Sequence, residues 1–167
     1  MSKSVSLKLG DYKGIENLNL IGKKDLDGTG TGGKNKLAGN NGDNVLKGGG
    51  GNDLLKGGKG NAVLVGGDGK DRLEGHAGRD KLTGNKGPDD FVFKGKFGTD
   101  KIRDFDKGTD ELYLSKKLWD GTLSKAEVVS DFASKKGGNI VFDFDGGTII
   151  LLDIESKAGL VDDIVFI

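Results

Sequence analysis

From Gly30 to Val92 the chain repeats a nine-residue unit seven times without an insertion, and no other feature restricts its fold so tightly. The units read GTGGKNKLA, GNNGDNVLK, GGGGNDLLK, GGKGNAVLV, GGDGKDRLE, GHAGRDKLT and GNKGPDDFV. The first and fourth positions are glycine in every unit. The eighth is always large and apolar, running Leu37, Leu46, Leu55, Leu64, Leu73, Leu82 and Phe91. The sixth runs Asn35, Asn44, Asp53, Ala62, Asp71, Asp80 and Asp89.

Two glycines three apart admit positive φ without a steric penalty, so six residues turn back as a tight loop. The remaining three form a short strand whose eighth residue points inward while the seventh and ninth point out. One unit cannot bury a lone Leu. Coils stacked about 4.8 Å apart bury seven of them as ladders, so stacking is obligatory. The tight loops also gather backbone carbonyls on one side, and a carboxylate at the sixth position completes a cage made of oxygen alone. Such a cage selects Ca²⁺. Zinc is disfavoured, because the chain has no Cys and its single His, His76, reads as a loop residue.

This pattern resembles the calcium-binding RTX repeats of exported Gram-negative proteins, Gly-Gly-x-Gly-x-Asp-x-aliphatic-x. The resemblance implies a mainly all-β fold, a right-handed parallel β-roll with two repeats per coil and several Ca²⁺ ions between the loops of repeats n and n+2. Carried onto this chain, it gives two unequal loop stacks. One is lined by Asn35, Asp53, Asp71 and Asp89, the other by Asn44, Ala62 and Asp80, so that Asp80 faces a methyl group. The loop glycines Gly49, Gly51, Gly58, Gly60, Gly67, Gly69, Gly78 and Gly87 complete the implied ligand set. The chain departs from the pattern at the second position, where Thr31, Asn40, His76 and Asn85 replace glycine; Thr31 and His76 leave the first and sixth loops least regular.

On either side of the array the pattern loosens. Residues 1–29 read as irregular capping coils in which Glu16 to Leu20 alternates like a half-buried strand, and residues 30–92 form the roll itself. Residues 93–167 read as an antiparallel β cap with one short helix. At the junction Phe91-Val92-Phe93 closes the stack, and within the cap Thr99 to Ser115 reads as two strands around a Gly108 turn. That stretch resembles the D-x-I-x-D-F segment that follows RTX arrays, and Asp100, Asp104, Asp106 and Asp110 are expected to share a further ion. Ser124-Lys125-Ala126-Glu127 is a capping box that starts a helix expected to end near Lys136 to Gly138. A hairpin turns at Asp145-Gly146-Gly147. The finish, Asp162-Asp163-Ile164-Val165-Phe166-Ile167, resembles the C-terminus of proteins exported by an ABC-transporter-linked, type I channel.

The remaining composition narrows the function. Met1 to Gly10 lacks the apolar core of a cleavable signal peptide, and no apolar run is long enough to span a membrane. Net charge is zero, from 26 basic and 26 acidic residues, and aromatics are sparse, which argues against nucleic acid. No H-E-x-x-H or G-x-S-x-G string occurs, and one His without Cys leaves no nucleophilic triad, so the chain is not expected to be an enzyme. Two readings of function follow. The first is a secreted, extracellular calcium-responsive β-roll module. The second is a module that binds acidic polysaccharide or a surface, because the resemblance extends to rolls attached to alginate-modifying enzymes and adhesins, and the array holds ten Lys and Arg against eight Asp and Glu.

Overall fold

The computed structural model describes residues 5–11 and 14–167. The chain winds between two walls. One wall is a nine-stranded sheet built from β1 (Val5–Lys8), β3 (Leu26–Thr29), β5 (Val45–Gly50), β7 (Val63–Asp68), β9 (Lys81–Lys86), β11 (Gly98–Ile102), β15 (Gly147–Leu151), β14 (Asn139–Phe144) and β13 (Ala133–Lys136), in that spatial order. The other has seven strands, β2 (Asn17–Asn19), β4 (Lys36–Ala38), β6 (Leu54–Gly58), β8 (Arg72–His76), β10 (Asp90–Phe93), β12 (Glu111–Leu114) and β16 (Ile164–Phe166). Odd strands therefore stack on odd strands and even on even up to β12. Neighbours within each wall are parallel except for the β15, β14 and β13 meander. This is a parallel β-solenoid with two repeats per coil, as the resemblance to RTX repeats implies.

Register fixes the core. Leu46 pairs with Leu64 and Leu64 with Leu82, eighteen residues apart each time. On the opposite wall Leu18, Leu37, Leu55, Leu73, Phe91, Leu112 and Ile164 follow one another rung by rung. From Leu37 onward every member of this ladder is fully buried. Burying one such aliphatic side chain contributes about 1.5–3 kcal/mol. Because each coil touches only its neighbours, the contributions add along the axis.

Several boundaries differ from the sequence reading. Parallel pairing does not stop at residue 92, since β10 pairs with β12 and β9 with β11; Phe91, Val92 and Phe93 are buried mid-stack. Residues before the array also join it, because β1 pairs with β3 and β3 with β5. The strands β11 and β12 flank the Gly108 turn as expected but do not pair with each other. They lie in opposite walls, as the two halves of one coil do. The helix α1 (Lys125–Phe132) begins at the expected capping box, with Ser124 and Glu127 bonded reciprocally, but ends at Phe132. Ala133–Lys136 goes instead to β13, because the exposed backbone edge of β14 offers four residues of antiparallel pairing. The cap's apolar interior centres on Trp119, packed against Phe132, Phe144 and Phe166. Among the described residues no helix is long and apolar enough to cross a membrane.

The Leu ladder carries the fold, so Leu64→Ala, which empties a fully buried mid-stack position, should cost about 2–5 kcal/mol. Lys47→Ala, on the exposed face of the adjoining strand, should fall within about 0.5 kcal/mol of the parent. Urea unfolding at a fixed calcium concentration measures both; equal midpoints would mean that the ladder does not set the stability.

Candidate metal-binding loops

The sixth-position carboxylates lie at the ends of the loops, where strand pairing delivers them to the inside of each turn. Asp53, Asp71, Asp80 and Asp89 are all at most 3% exposed. Each has one oxygen tied to the coil before it. Asp53 Oδ1 accepts the amide of Asn35 at 2.6 Å, Asp71 Oδ1 that of Asp53 at 2.8 Å, and Asp89 Oδ1 that of Asp71 at 2.9 Å. In the second stack Asp80 Oδ1 accepts the amide of Ala62 at 2.7 Å.

The other oxygen has no partner. Asp53, Asp71, Asp80 and Asp89 all leave Oδ2 buried without a hydrogen bond. An ionised oxygen in that position is costly unless a proton or a cation reaches it. Beside these orphans the first-position glycines leave space that any side chain would fill. A Cβ on Gly48 would stand against Asp53 Oδ2 and the Gly66 carbonyl oxygen, and one on Gly66 against Asp71 Oδ2 and the Gly84 carbonyl oxygen. These glycines do not have positive φ, so it is room that excludes a side chain there. Left-handed geometry falls on the second and fourth positions instead, as at Gly67 and Gly69, both with φ 128°. Among the irregular second positions, His76 and Asn85 adopt it, at φ 65° and 71°, and Thr31 does not.

The donor set fits calcium. It is all oxygen, combines charged carboxylates with neutral carbonyls, and among the described residues no three Asp, Glu or His side chains converge as a tighter transition-metal site would require. Burial pushes the Asp53 and Asp80 carboxyls up from the ordinary value of 3.8 to about 6. It lifts Asp89 to about 7, helped by the charges of Asp110, Asp71 and Asp104. Asp71 moves the same way for the same first cause.

The structure extends both stacks past the array. Asp100 Oδ1 accepts the amide of Asp80 at 2.9 Å, leaves Oδ2 buried and unpartnered, and is raised by burial to about 8. Asp110 Oδ1 accepts the amide of Asp89 at 2.9 Å, and its Oδ2 takes the amide of Asp106. The four acids Asp100, Asp104, Asp106 and Asp110 are therefore not one cluster. Asp100 continues the second stack and Asp110 the first, while Asp104 accepts the amides of Gly84 and Asn85 at 3.0 and 2.8 Å. Asp80 consequently has a carboxylate successor, and Ala62 is the one apolar rung between Asn44 and Asp100. Asn44 itself turns inward, accepting the Asn40 amide and donating to the Leu26 carbonyl.

Of the loop glycines named from sequence, Gly58 and Gly78 use their carbonyls in coil-to-coil hydrogen bonds, accepting from Ala77 and Thr99. The carbonyls that border the space beside Asp53 Oδ2 and Asp71 Oδ2 belong to Gly66 and Gly84, which the ligand set drawn from sequence does not include. The nine-residue phase hid Asp100 and Asp110, because they follow their predecessors at 20 and 21 residues. The triplet Asp-x-apolar reveals them: Asp71-x-Leu73, Asp80-x-Leu82 and Asp89-x-Phe91 lead on to Asp100-x-Ile102 and Asp110-x-Leu112. A second, exposed ladder was also missed. The fifth-position residues Asp43 and Asn61 accept amides from the coil after them, those of Asn61 and Arg79, at 2.7 and 2.9 Å.

Comparison with known proteins follows the same division of the chain. The RTX calcium-binding nonapeptide repeat family, in a four-copy form, matches residues 29–64 and 57–91. The extracellular lipase LipA from Serratia marcescens shares 17% identity at a TM-score of 0.47, over 85% of this chain and 38% of the lipase. This chain thus spans well under half of that enzyme's length. The AlgE6R3 subunit of the Azotobacter vinelandii mannuronan C5-epimerase shares 26% identity at a TM-score of 0.53, over 91% of this chain and 84% of the subunit. No curated protein sequence matches the chain.

Raised carboxyl pKa values have a definite sign. The folded chain holds protons that the unfolded chain has released, so without metal its stability is full below about pH 4 and declines as pH rises through about 6 to 8. In chelator the melting temperature should therefore fall between about pH 5 and pH 8, and saturating calcium should remove that fall. Melting curves across that range, with and without calcium, test it; an alkaline rise in chelator contradicts the assignment.

Proposed function

We propose that the chain, whose residues 29–91 match the RTX calcium-binding nonapeptide repeat family, is a calcium-responsive β-roll module of a secreted protein, ordered by Ca²⁺ outside the cell. The observation that carries this reading is the row of buried carboxylate oxygens at Asp53, Asp71, Asp80, Asp89 and Asp100 that have no hydrogen-bond partner. Calcium supplies the positive charge that lets them stay ionised when buried. Asp53, Asp71, Asp89 and Asp110 would hold it in one stack and Asp80 and Asp100 in the other, with first-position carbonyls such as those of Gly66 and Gly84. Asn35 and Asn44 contribute uncharged oxygens at the N-terminal end. The protein's part is to fix these oxygens: strand register sets their spacing, and the amide bonded to each Oδ1 fixes the rotamer. Metal that binds only the folded state stabilises it by about 2.7 kcal/mol at a hundredfold excess over Kd.

The stack inequality makes this testable. Ala62→Asp should raise the bound-calcium count, because it places a carboxylate between Asn44 and Asp80. Asp71→Asn should lower affinity and melting temperature together, since it removes a charge from the middle of the more acidic stack. Calorimetric titration of both variants decides it. An unchanged count for Ala62→Asp together with parental affinity for Asp71→Asn would defeat the reading.

Export is the second part of the proposal, supported by the acidic-then-apolar finish at Asp162 to Ile167. That segment also has a folded role, since β16 pairs with β12 and Ile164 is fully buried. A signal that folds into the roll is readable only before folding, which suits passage of an unfolded chain where calcium is scarce. Deleting Ile164 to Ile167 should abolish release through a type I channel, measured as secreted against cell-associated protein. Undiminished release would leave the segment as a closing strand alone.

A further inference from the structure

The two walls treat their surface charges differently. On the seven-stranded wall cations and carboxylates alternate and pair: Lys56 with Glu74 at 3.5 Å, Lys70 and Arg72 with Asp90 at 3.0 Å each, and Lys94 with Glu74 at 3.2 Å. Lys94 and Lys56 hold Glu74 below its ordinary range although burial pulls the other way. On the nine-stranded wall, Lys81 and Lys101 stand directly opposite each other on β9 and β11, with Arg79 two residues before one and Arg103 two residues after the other. All four are exposed. Among the described residues, ion pairs involve the cations of Lys56, Lys70, Arg72, Lys86 and Lys94, with the His76 ring also facing Glu74, and none of these four. Like charges directly opposed across two strands are destabilising. The nine-stranded wall pairs Lys86 with Asp68 at its loop end, but the four cations at Arg79, Lys81, Lys101 and Arg103 stand together without a carboxylate partner, which leaves room for an anion that is not part of the chain.

The same residues line a groove. A hollow of about 470 Å³ is bounded by Arg79, Asp80, Lys81, Thr99, Lys101 and Ile150, and it adjoins a second of about 180 Å³ bounded by Lys81, Lys101, Arg103 and Leu152. Asp80 does not neutralise them, because it is 1% exposed and its carboxylate is turned to the Ala62 amide. The groove runs along the strands, with Lys81 and Lys101 shared by both parts.

We propose that this groove binds a linear acidic polysaccharide. Neighbouring strands are about 4.8 Å apart, and alternate residues on one strand about 6.6 Å, so the cationic heads recur at roughly the length of one sugar ring. Arg79 and Arg103 offer planar forks suited to carboxylate or sulfate, Lys81 and Lys101 offer point charges, and Thr99 offers a hydroxyl for sugar hydroxyls. Other polyanions fit less well. No aromatic side chain lines the groove, so bases of a single-stranded nucleic acid find no stacking platform. Ile150 and Leu152 lie half-buried on its floor, where they do not reach into a lipid bilayer.

The test uses the whole chain, saturated with calcium, and three variants: Lys81→Glu with Lys101→Glu, the milder Lys81→Gln with Lys101→Gln, and, as an equal change of charge elsewhere, Lys23→Glu with Lys24→Glu. Circular dichroism in calcium establishes that each is folded, and calcium titration of the same samples keeps failure of the calcium reading separate. Binding to polygalacturonate, dextran sulfate and neutral dextran is then measured at low and high salt. The expected result is salt-sensitive binding of the parent to at least one anionic polymer and none to neutral dextran, weakened tenfold or more by Glu substitution in the groove, several-fold by Gln, and unchanged in the Lys23 and Lys24 variant. Lack of binding by the folded parent, or equal weakening by the groove and control variants, overturns the proposal. So does groove-dependent binding to an oligonucleotide or to anionic vesicles without binding to either polysaccharide.

Discussion

A buried aspartate with one oxygen bonded and one left over is the contact on which the rest of this molecule depends. Hydrophobic rungs alone fix which face of each strand turns inward, since a one-residue slip would carry the leucines to solvent, but they do not align the loops that join the strands. The bond from Asp53 Oδ1 to the Asn35 amide, repeated at Asp71, Asp80, Asp89 and Asp100, permits only one offset. It also carries a cost, because the second oxygen is taken out of water with nothing to bind. Protons relieve that cost at low pH, and under the function proposed above a divalent cation relieves it near neutrality.

The regular part of this arrangement is legible in the sequence because its period is rigid. Seven glycine-framed units give the coil length, the inward leucines and the identity of the sixth position, and the observed pairings of Leu46, Leu64 and Leu82 fall at the expected separation. Legibility fails where the period does. Two extra residues between Asp89 and Asp100 and one more between Asp100 and Asp110 lengthen the coils, so Asp100 and Asp110 drop out of phase and look like members of a separate acidic turn. The helix end was misplaced for a different reason. Ala133 to Lys136 has nothing in its composition against continuing as helix, and only the free edge of β14, distant in sequence until the hairpin folds, draws it into a strand. The role of the first glycine was likewise hidden, since sequence suggests φ and the structure shows a shortage of space beside Asp53 and Asp71.

The surface follows a logic independent of the core. Outward positions of the array are free to vary, because stacking is settled by the inward residues and the loops, and the chain has used that freedom differently on its two walls. One wall is an internally neutralised lattice in which Arg72 bridges Glu74 and Asp90 and lies over the ring of Tyr113. The other sets the unpaired cations Lys81 and Lys101 side by side where β9 meets β11. A site placed there inherits rigidity from the ladder below it.

The departures from eighteen at Asp100 and Asp110 show how such a molecule tolerates change in length. Each coil is aligned to the one before by a bond between a side chain and a backbone amide, so the count of residues between two rungs is immaterial so long as an Asp-x-apolar triplet arrives to make the next one. Two or three additional residues are absorbed as a bulging loop, and the error does not travel down the axis. A solenoid built this way corrects its own frame at every turn, and it can therefore accept insertions on its loop sides during evolution while the interior continues undisturbed from the first leucine rung to the closing strand.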